Sequence, residues 1–432
     1  MTPARRLARL LASAEMARAF TIAVLAAVFS SLAIQRMSSP VTLATVVSLL
    51  CLLGAAILWV RREELSLLRI APTSLLFFLA WALVSIVWTT DKSDTLFAWV
   101  ALFGYGFLAI TVGHIRDTLQ TVRALGDTLR MLLLVSLGLE ILSGVLFDVP
   151  FSFLGIQGNL ALGGPIQGIF GSRNMLGFVA VIALITFVIE WRSQSLEARI
   201  AIPSIGLATM LAILSASPTV LVLAFAVGVV TVALTIVRHA QAERRTAVQW
   251  VLGVLVAMAL AAAFALRHPI IALMDAGSDF SIRADLWNTI LDFVGARPVQ
   301  GWGWFGAWSS GEMPFFHINF LLDEQHRSAL NAYFDVLLQL GTAGLVLFLL
   351  LGGIATVRSW LVASVRRSVV YAWTPLMLVT LAVESMFESF TLVGAGWFLL
   401  VLCALRAGQS RSWRENIDAA QTGVIPTLSA EG

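Results

Sequence analysis

Charge is what this sequence has least of. Only 12% of its 432 residues are Asp, Glu, Lys or Arg, against a hydrophobic fraction of 59% and a mean hydropathy of +0.89. Soluble globular chains carry about 25% charged residues, so that class is excluded and a polytopic membrane protein is implied. Cysteine is nearly missing too. Cys51 and Cys403 both lie inside apolar runs, which rules out a disulfide framework or a cysteine metal cluster and reads them as small buried hydrophobes. The net charge is only +3, so its distribution says more than its sum, and no nucleic-acid partner is expected. No cleavable signal peptide is expected either. Residues 19–34 are apolar, but no convincing small-residue cleavage site precedes the next apolar run.

What the chain does have is apolar runs near the roughly 20 residues that cross a bilayer. They cover 19–34, 41–60, 70–88, 95–113, 131–147, 175–191, 202–215, 219–237, 248–266, 333–357, 369–387 and 392–405. The fold class expected is therefore all-α, with about twelve transmembrane helices. Between the fourth and fifth runs, HIRDTLQTVRALGDTLR carries Arg116, Arg123 and Arg130 and reads as a short amphipathic helix on the membrane surface. With the N-terminus in the cytoplasm and strict alternation, 21 of the 28 basic residues fall on cytoplasmic segments and seven outside. That bias places both termini in the cytoplasm.

The alternation breaks once. About 65 residues from Arg267 pass without a membrane-length run, and they hold His268, His317 and His326 with Trp287, Trp302, Trp304 and Trp308. So many large aromatics argue for a folded cap rather than a disordered loop. The expected organisation is helices 1–9 over 1–266, an extracytoplasmic helical loop over 267–332, helices 10–12 over 333–407, and a cytoplasmic polar tail over 408–432.

Several residues could carry chemistry. Ser172-Arg173-Asn174 follows a Gly-rich loop over 148–174 and opens the sixth run. It is either ordinary helix capping or an anion site made of a helix N-terminus and Arg173. The SAS of residues 215–217 reads as turn punctuation. In the large loop, Ser281 can cap a helix reaching about Val294, with Arg283 and Trp287 on one face. Arg283 either pairs with Asp279 or Asp285 or binds an anion. Trp302 and Trp304, beside Gly301 and Gly303, are headgroup-level anchors or a wall against sugar faces. If 326–331 is helical, His326 and Leu330 share a face with Asn331 beside them; otherwise His326 is a cap to the tenth run. Glu140, Glu384 and Glu388 are the acids in apolar surroundings and so are functional suspects, although Glu388 sits near a run end where it could be wet.

Taken together, GIFGSRNMLGF, SAS, IRADLWNTILDFVGARPVQGWGWFGAW, ALNAYFDVLLQLGTAGLVLF and ESFTLVGAGWFLL resemble the O-antigen ligase and polysaccharide polymerase superfamily, in particular its exopolysaccharide-polymerase branch. The resemblance covers about 168–400; the first five runs match only in hydropathy. It implies a glycosyltransferase of the cytoplasmic (inner) membrane with no cofactor and no metal. Such an enzyme moves a glycan from a polyprenyl (undecaprenyl) diphosphate carrier to an acceptor glycan outside the cytoplasm, in surface or exopolysaccharide biosynthesis, beside other polysaccharide-assembly proteins. It also implies roles. Arg173 and Arg283 would hold the diphosphate and His326 would act on the acceptor; Asn174, Trp287, Trp302, Trp304, Asn331 and Glu388 would bind substrate. The chain departs from the family pattern at Leu330, where the family usually has histidine, and at Ser172, where it often has histidine too. Pro218 stands where a basic residue is frequent. His326, one helical turn before Leu330, is the expected substitute. The rival readings are a polysaccharide or lipid-glycan transporter, disfavoured by the scarcity of charges at mid-membrane, and a non-catalytic scaffold for envelope assembly. Transfer of a lipid-linked glycan without nucleotide sugar or ion gradient would discriminate among them.

Overall fold

The computed structural model describes residues 3–64, 70–241, 243–265, 277–309 and 311–422. Arg267 and His268 lie outside the described residues. Sixteen α-helices follow one another in the described chain. They are α1 (Pro3–Ala12), α2 (Ala14–Phe29), α3 (Ser31–Met37), α4 (Pro40–Val60), α5 (Thr73–Val84), α6 (Lys92–Ile115), α7 (Thr118–Ile141), α8 (Arg173–Arg192), α9 (Ala198–Leu214), α10 (Pro218–His239), α11 (Arg245–Ala265), α12 (Gly277–Ala296), α13 (Phe315–Leu322), α14 (Ala332–Val365), α15 (Trp373–Glu384) and α16 (Gly394–Thr422). Among the described residues there is no strand, only an isolated bridge between Phe151 and Ile156.

Each of the twelve apolar runs falls on a helix, but the helices differ in reach. Six are long and apolar enough to cross a membrane, or seven if the bent pair α2–α3 counts as one span. Those on α5, α9, α11, α15 and α16 have apolar stretches of 10–17 residues.

The core is built around helices that are apolar on every side. On α16, Trp397 through Leu405 are each no more than 5% exposed, and on α8 so are Leu176 and Phe178 through Ala183. α16 packs against α6, α14 and α15, and α8 against α7, α9 and α10. The Trp397 indole donates to the Leu102 carbonyl at 2.8 Å and ties α16 to α6. By contrast α4 and α10 leave most of their apolar surface outward, as lipid-facing helices do.

Two expectations are corrected. The stretch 116–130 is not a separate surface helix. It is the first half of α7, which starts at a capping box between Asp117 and Gln120 and continues unbroken to Ile141. Arg130 can go inward there because it makes a two-pronged pair with the Glu190 carboxylate of α8. The polar tail is not separate from the last helix either, because α16 continues to Thr422.

α14 is the element that positions the cap. Its helical backbone breaks at Gly341 (φ 67°, ψ −169°). The groups freed by the break are taken up by the loop after α12. Trp302 N–H donates to Leu338 O, Gly303 N–H to Gln339 O, and Thr342 N–H to Pro298 O, at 3.1, 2.8 and 2.8 Å. The Trp81 indole donates to Leu340 O at 3.0 Å. Non-helical backbone at this depth persists only when protein satisfies it, and here the cap does so.

Candidate active site

One end of the bundle gathers the start of α8, the start of α10, the start of α14 and the turn after α15. Ser172 caps α8 by accepting the Met175 N–H, which leaves Arg173 exposed and Asn174 turned inward. Asn174 donates to the Glu388 carboxylate at 2.7 Å and accepts from the Ser217 hydroxyl at 2.8 Å. The serine read as turn punctuation thus belongs to this cluster. From the cap, Arg283 of α12 reaches the same carboxylate at 3.5 Å. It also donates to the carbonyls of Leu330 at 3.0 Å and Phe387 at 2.5 Å. Arg283 therefore pairs with Glu388 and not with Asp285. Asn331 caps α14 through its side-chain oxygen and donates to Met386 O at 3.0 Å. Glu384 lies fully buried one turn before Glu388, and neither of its oxygens has a hydrogen-bond partner among the described residues.

The structure thus brings Asn174, Arg283, Asn331 and Glu388 together, with Arg173 next to Asn174. Arg173 makes no ion pair among the described residues. Glu140 has a different task. It accepts the backbone N–H groups of Gln167 and Gly168 and pins the Gly-rich loop to α7.

The tryptophans separate by what holds them. The Trp287 indole donates to Ala329 O at 2.9 Å and its ring stacks on Phe334, 5.3 Å between centroids. Trp304 is only 1% exposed and meets Phe78 edge-on, so it belongs to the core and is no open wall for a sugar. Trp302 donates to Phe293 O and carries the Arg297 guanidinium over its ring at 4.4 Å. That face is already occupied by a cation.

His326 stands apart from this cluster, and its helical premise fails. Residues 323–331 are irregular, Leu330 has a left-handed backbone (φ 50°), and α14 begins only at Ala332. His326 and Leu330 therefore share no helical face. Instead Asn319 clamps the His326 backbone, accepting its N–H and donating to its carbonyl. The ring Nε2 lies 3.0 Å from the Glu324 carboxylate. Burial pulls the imidazole below its ordinary value, and Glu324 opposes that pull only in part.

Asp335 and Gln339 escaped the sequence reading. Asp335 is fully buried and accepts from the Trp308 indole (2.5 Å), Ala329 N–H (3.1 Å), the Ser389 hydroxyl and Gln339 (3.3 Å). Gln339 accepts from Phe305 and Gly306 N–H at 2.7 and 3.0 Å. The visible signal was a polar pair four residues apart inside an apolar run, which lies on one helix face. Among the described residues no group of three His, Cys, Asp or Glu is placed to hold a metal.

A many-helix apolar bundle with a polar cluster and a folded cap at one end defines a multi-pass membrane protein. Residues 203–349 match the family model described as O-antigen ligase. Over that third of its length the chain is similar to the O-antigen ligase family, which supports an assignment to the O-antigen ligase and polymerase superfamily. The matched stretch runs from α9 into the second half of α14, so it includes Arg283, His326 and Asn331 but not Arg173, Asn174 or Glu388. None of the curated proteins matches the chain.

Proposed function

We propose that this protein transfers a glycan from a polyprenyl diphosphate to a sugar hydroxyl on the outer face of the cytoplasmic membrane, polymerising or ligating a surface polysaccharide. The twelve apolar helices are taken as the spans and both termini as cytoplasmic. The observation that carries the reading is the meeting of Arg283 with Asn174 and Glu388, beside the exposed Arg173, at one end of the bundle.

A departing diphosphate gathers negative charge, and fixed cations stabilise it most where water is scarce. Arg173 makes no ion pair among the described residues and lies at a helix N-terminus, where anions are favoured. Arg283 is held in place by two carbonyls and shares its charge with Glu388, so a phosphate oxygen takes the remaining N–H directions. Asn174, Asn331 and Trp287, at the same end of the bundle, are the residues we assign to the glycan. His326 stands apart from this cluster, and we assign it to the acceptor on its chemistry alone: burial favours the neutral ring, able to take a proton, and Glu324 steadies the imidazolium that results. The transporter reading fits the structure less well. The broken helix of α14 exposes no free carbonyl at residues 338–340 for a coupling ion, because Trp302, Gly303 and Trp81 occupy them.

The test supplies purified protein with a polyprenyl-diphosphate oligosaccharide and no nucleotide sugar or ion gradient. Glycan elongation or transfer with release of carrier diphosphate is expected. Arg173→Ala breaks no ion pair among the described residues and is expected to cut the rate by about 10²-fold. Arg283→Lys keeps charge but loses the fork and is expected to lose most activity. Full activity in both variants, or no transfer by the unmodified protein, rejects the reading.

A further inference from the structure

At the other end of the bundle, about 30 Å along α8 from Arg173 at 1.5 Å per residue, the helices part around a cavity of about 1070 Å³. This is at the upper limit of small-molecule pockets, roughly 300–1,000 Å³. Its walls come from α8, α10, the end of α14 and α15, and are mostly apolar, with Ile185, Val227 and Leu376 among them. Its rim is cationic: Arg192, Arg238, Arg245, Arg366 and Arg367 line it with His239, and among the described residues no Asp or Glu does.

The rim cations are not all alike. The Arg238 guanidinium donates to the carbonyls of Arg366, Arg367 and Ser368 at 2.6, 3.1 and 2.7 Å. It caps the C-terminus of α14, and that job fixes it. Arg192 and Arg367 are exposed and make no ion pair among the described residues. Halfway along the wall, Gly228 faces open space, since a Cβ there would meet nothing within 4 Å. The cavity is thus a long apolar slot beneath a ring of positive charge, inside a protein whose outer helices face lipid.

We propose that this slot is a binding site for an anionic lipid, with an acyl chain along α10 past Gly228 and a phosphate headgroup among Arg192, Arg366 and Arg367. A soluble anion fits the rim but leaves the apolar walls uncovered. A zwitterionic lipid fits the walls but leaves the rim uncompensated. Only a molecule with both parts matches both. The site lies on the face opposite the candidate active site, so its occupant is neither glycan donor nor acceptor.

Native mass spectrometry of the purified full-length protein tests this. Phosphatidylglycerol and phosphatidylcholine with identical chains are titrated separately, with inorganic phosphate as a competitor. Phosphatidylglycerol is expected to occupy the protein several-fold more than phosphatidylcholine and to stay bound in millimolar phosphate. The double change Arg192→Gln, Arg367→Gln is expected to lower its occupancy about tenfold, by removing two surface cations that face an anionic headgroup. Gly228→Leu fills open space and is expected to displace both lipids while thermal stability is unchanged. Equal occupancy by the two lipids overturns the proposal, as does unaltered binding in both variants. Displacement of phosphatidylglycerol by phosphate alone also overturns it, because the rim would then be a site for free anions.

Discussion

His326 keeps the chemistry proposed for it but not the geometry that first suggested it. Its helical face does not exist, yet burial and Glu324 give it the surroundings of a base. The pH dependence follows. A base works only in its neutral form, and burial lowers its pKa, so transfer stays level through neutral pH and down past 6.5. It falls only on the acid side of that value. His326→Ala is expected to lose about 10²-fold in kcat/KM together with that acid limb. Glu324→Gln removes the group that raises the pKa, so the limb moves to still lower pH. A limb at or above pH 6.5, or a limb retained in His326→Ala, contradicts the assignment. The site was only partly legible in the sequence, for a reason visible in these residues. Arg283, Asn174, Asn331 and Glu388 stand out because polar groups are costly in an apolar chain. Trp302 and Trp304 stand out equally, but whether a ring faces a sugar or a core depends on partners such as Arg297 and Phe78, more than 200 positions away in the latter case. Ser217 looked like turn grammar because its partner Asn174 is on another helix.

Among the elements, hydropathy found each apolar helix, since burial in lipid or protein demands the same composition. For that very reason it could not say which helices are central. α16, which carries one of the shortest apolar runs, is enclosed by others, whereas α4, with a longer run, is largely outward. Nor could it show the break in α14, because GTAGLVLF reads as an ordinary apolar segment. The break depends on Gly341, whose left-handed backbone disfavours any side chain, and a Cβ there would overlap the Val299 carbonyl oxygen. Gly341→Ala is expected to cost about 1–3 kcal/mol from backbone strain alone, with the overlap adding to it. The readout is a lower melting temperature in detergent and a smaller yield of folded protein. Gly352→Ala, on the same helix with nothing within 4 Å of the new carbon, is expected to change neither. Equal stability of the two variants would mean that α14 closes its break without loss.

For the whole molecule, several of the seven cations expected outside are held in place by backbone carbonyls. Arg36 donates to Leu154 O and Arg297 to Trp88 O, so each braces a loop across the end of the bundle. Arg283 brackets the candidate site. The other end uses arginine similarly, where Arg406 donates to Arg116 O and Thr121. Sidedness is checked by labelling. Ala307 is exposed in the cap, so Ala307→Cys in a chain lacking Cys51 and Cys403 is expected to react with a membrane-impermeant thiol reagent on intact cells. Labelling only after lysis would place the cap in the cytoplasm and invert the alternation.

The seam between the cap and α14 also constrains how the chain is made. The ribosome completes residues 298–303 before it reaches the carbonyls of 338 and 339 that they serve. Until α14 arrives, the N–H groups of Trp302 and Gly303 lack their acceptors; until the cap docks, α14 holds unsatisfied carbonyls at its break. The two must therefore mature as one unit once α14 has been made. A fragment holding the cap without α14 would have lost its template, so the cap is no detachable domain.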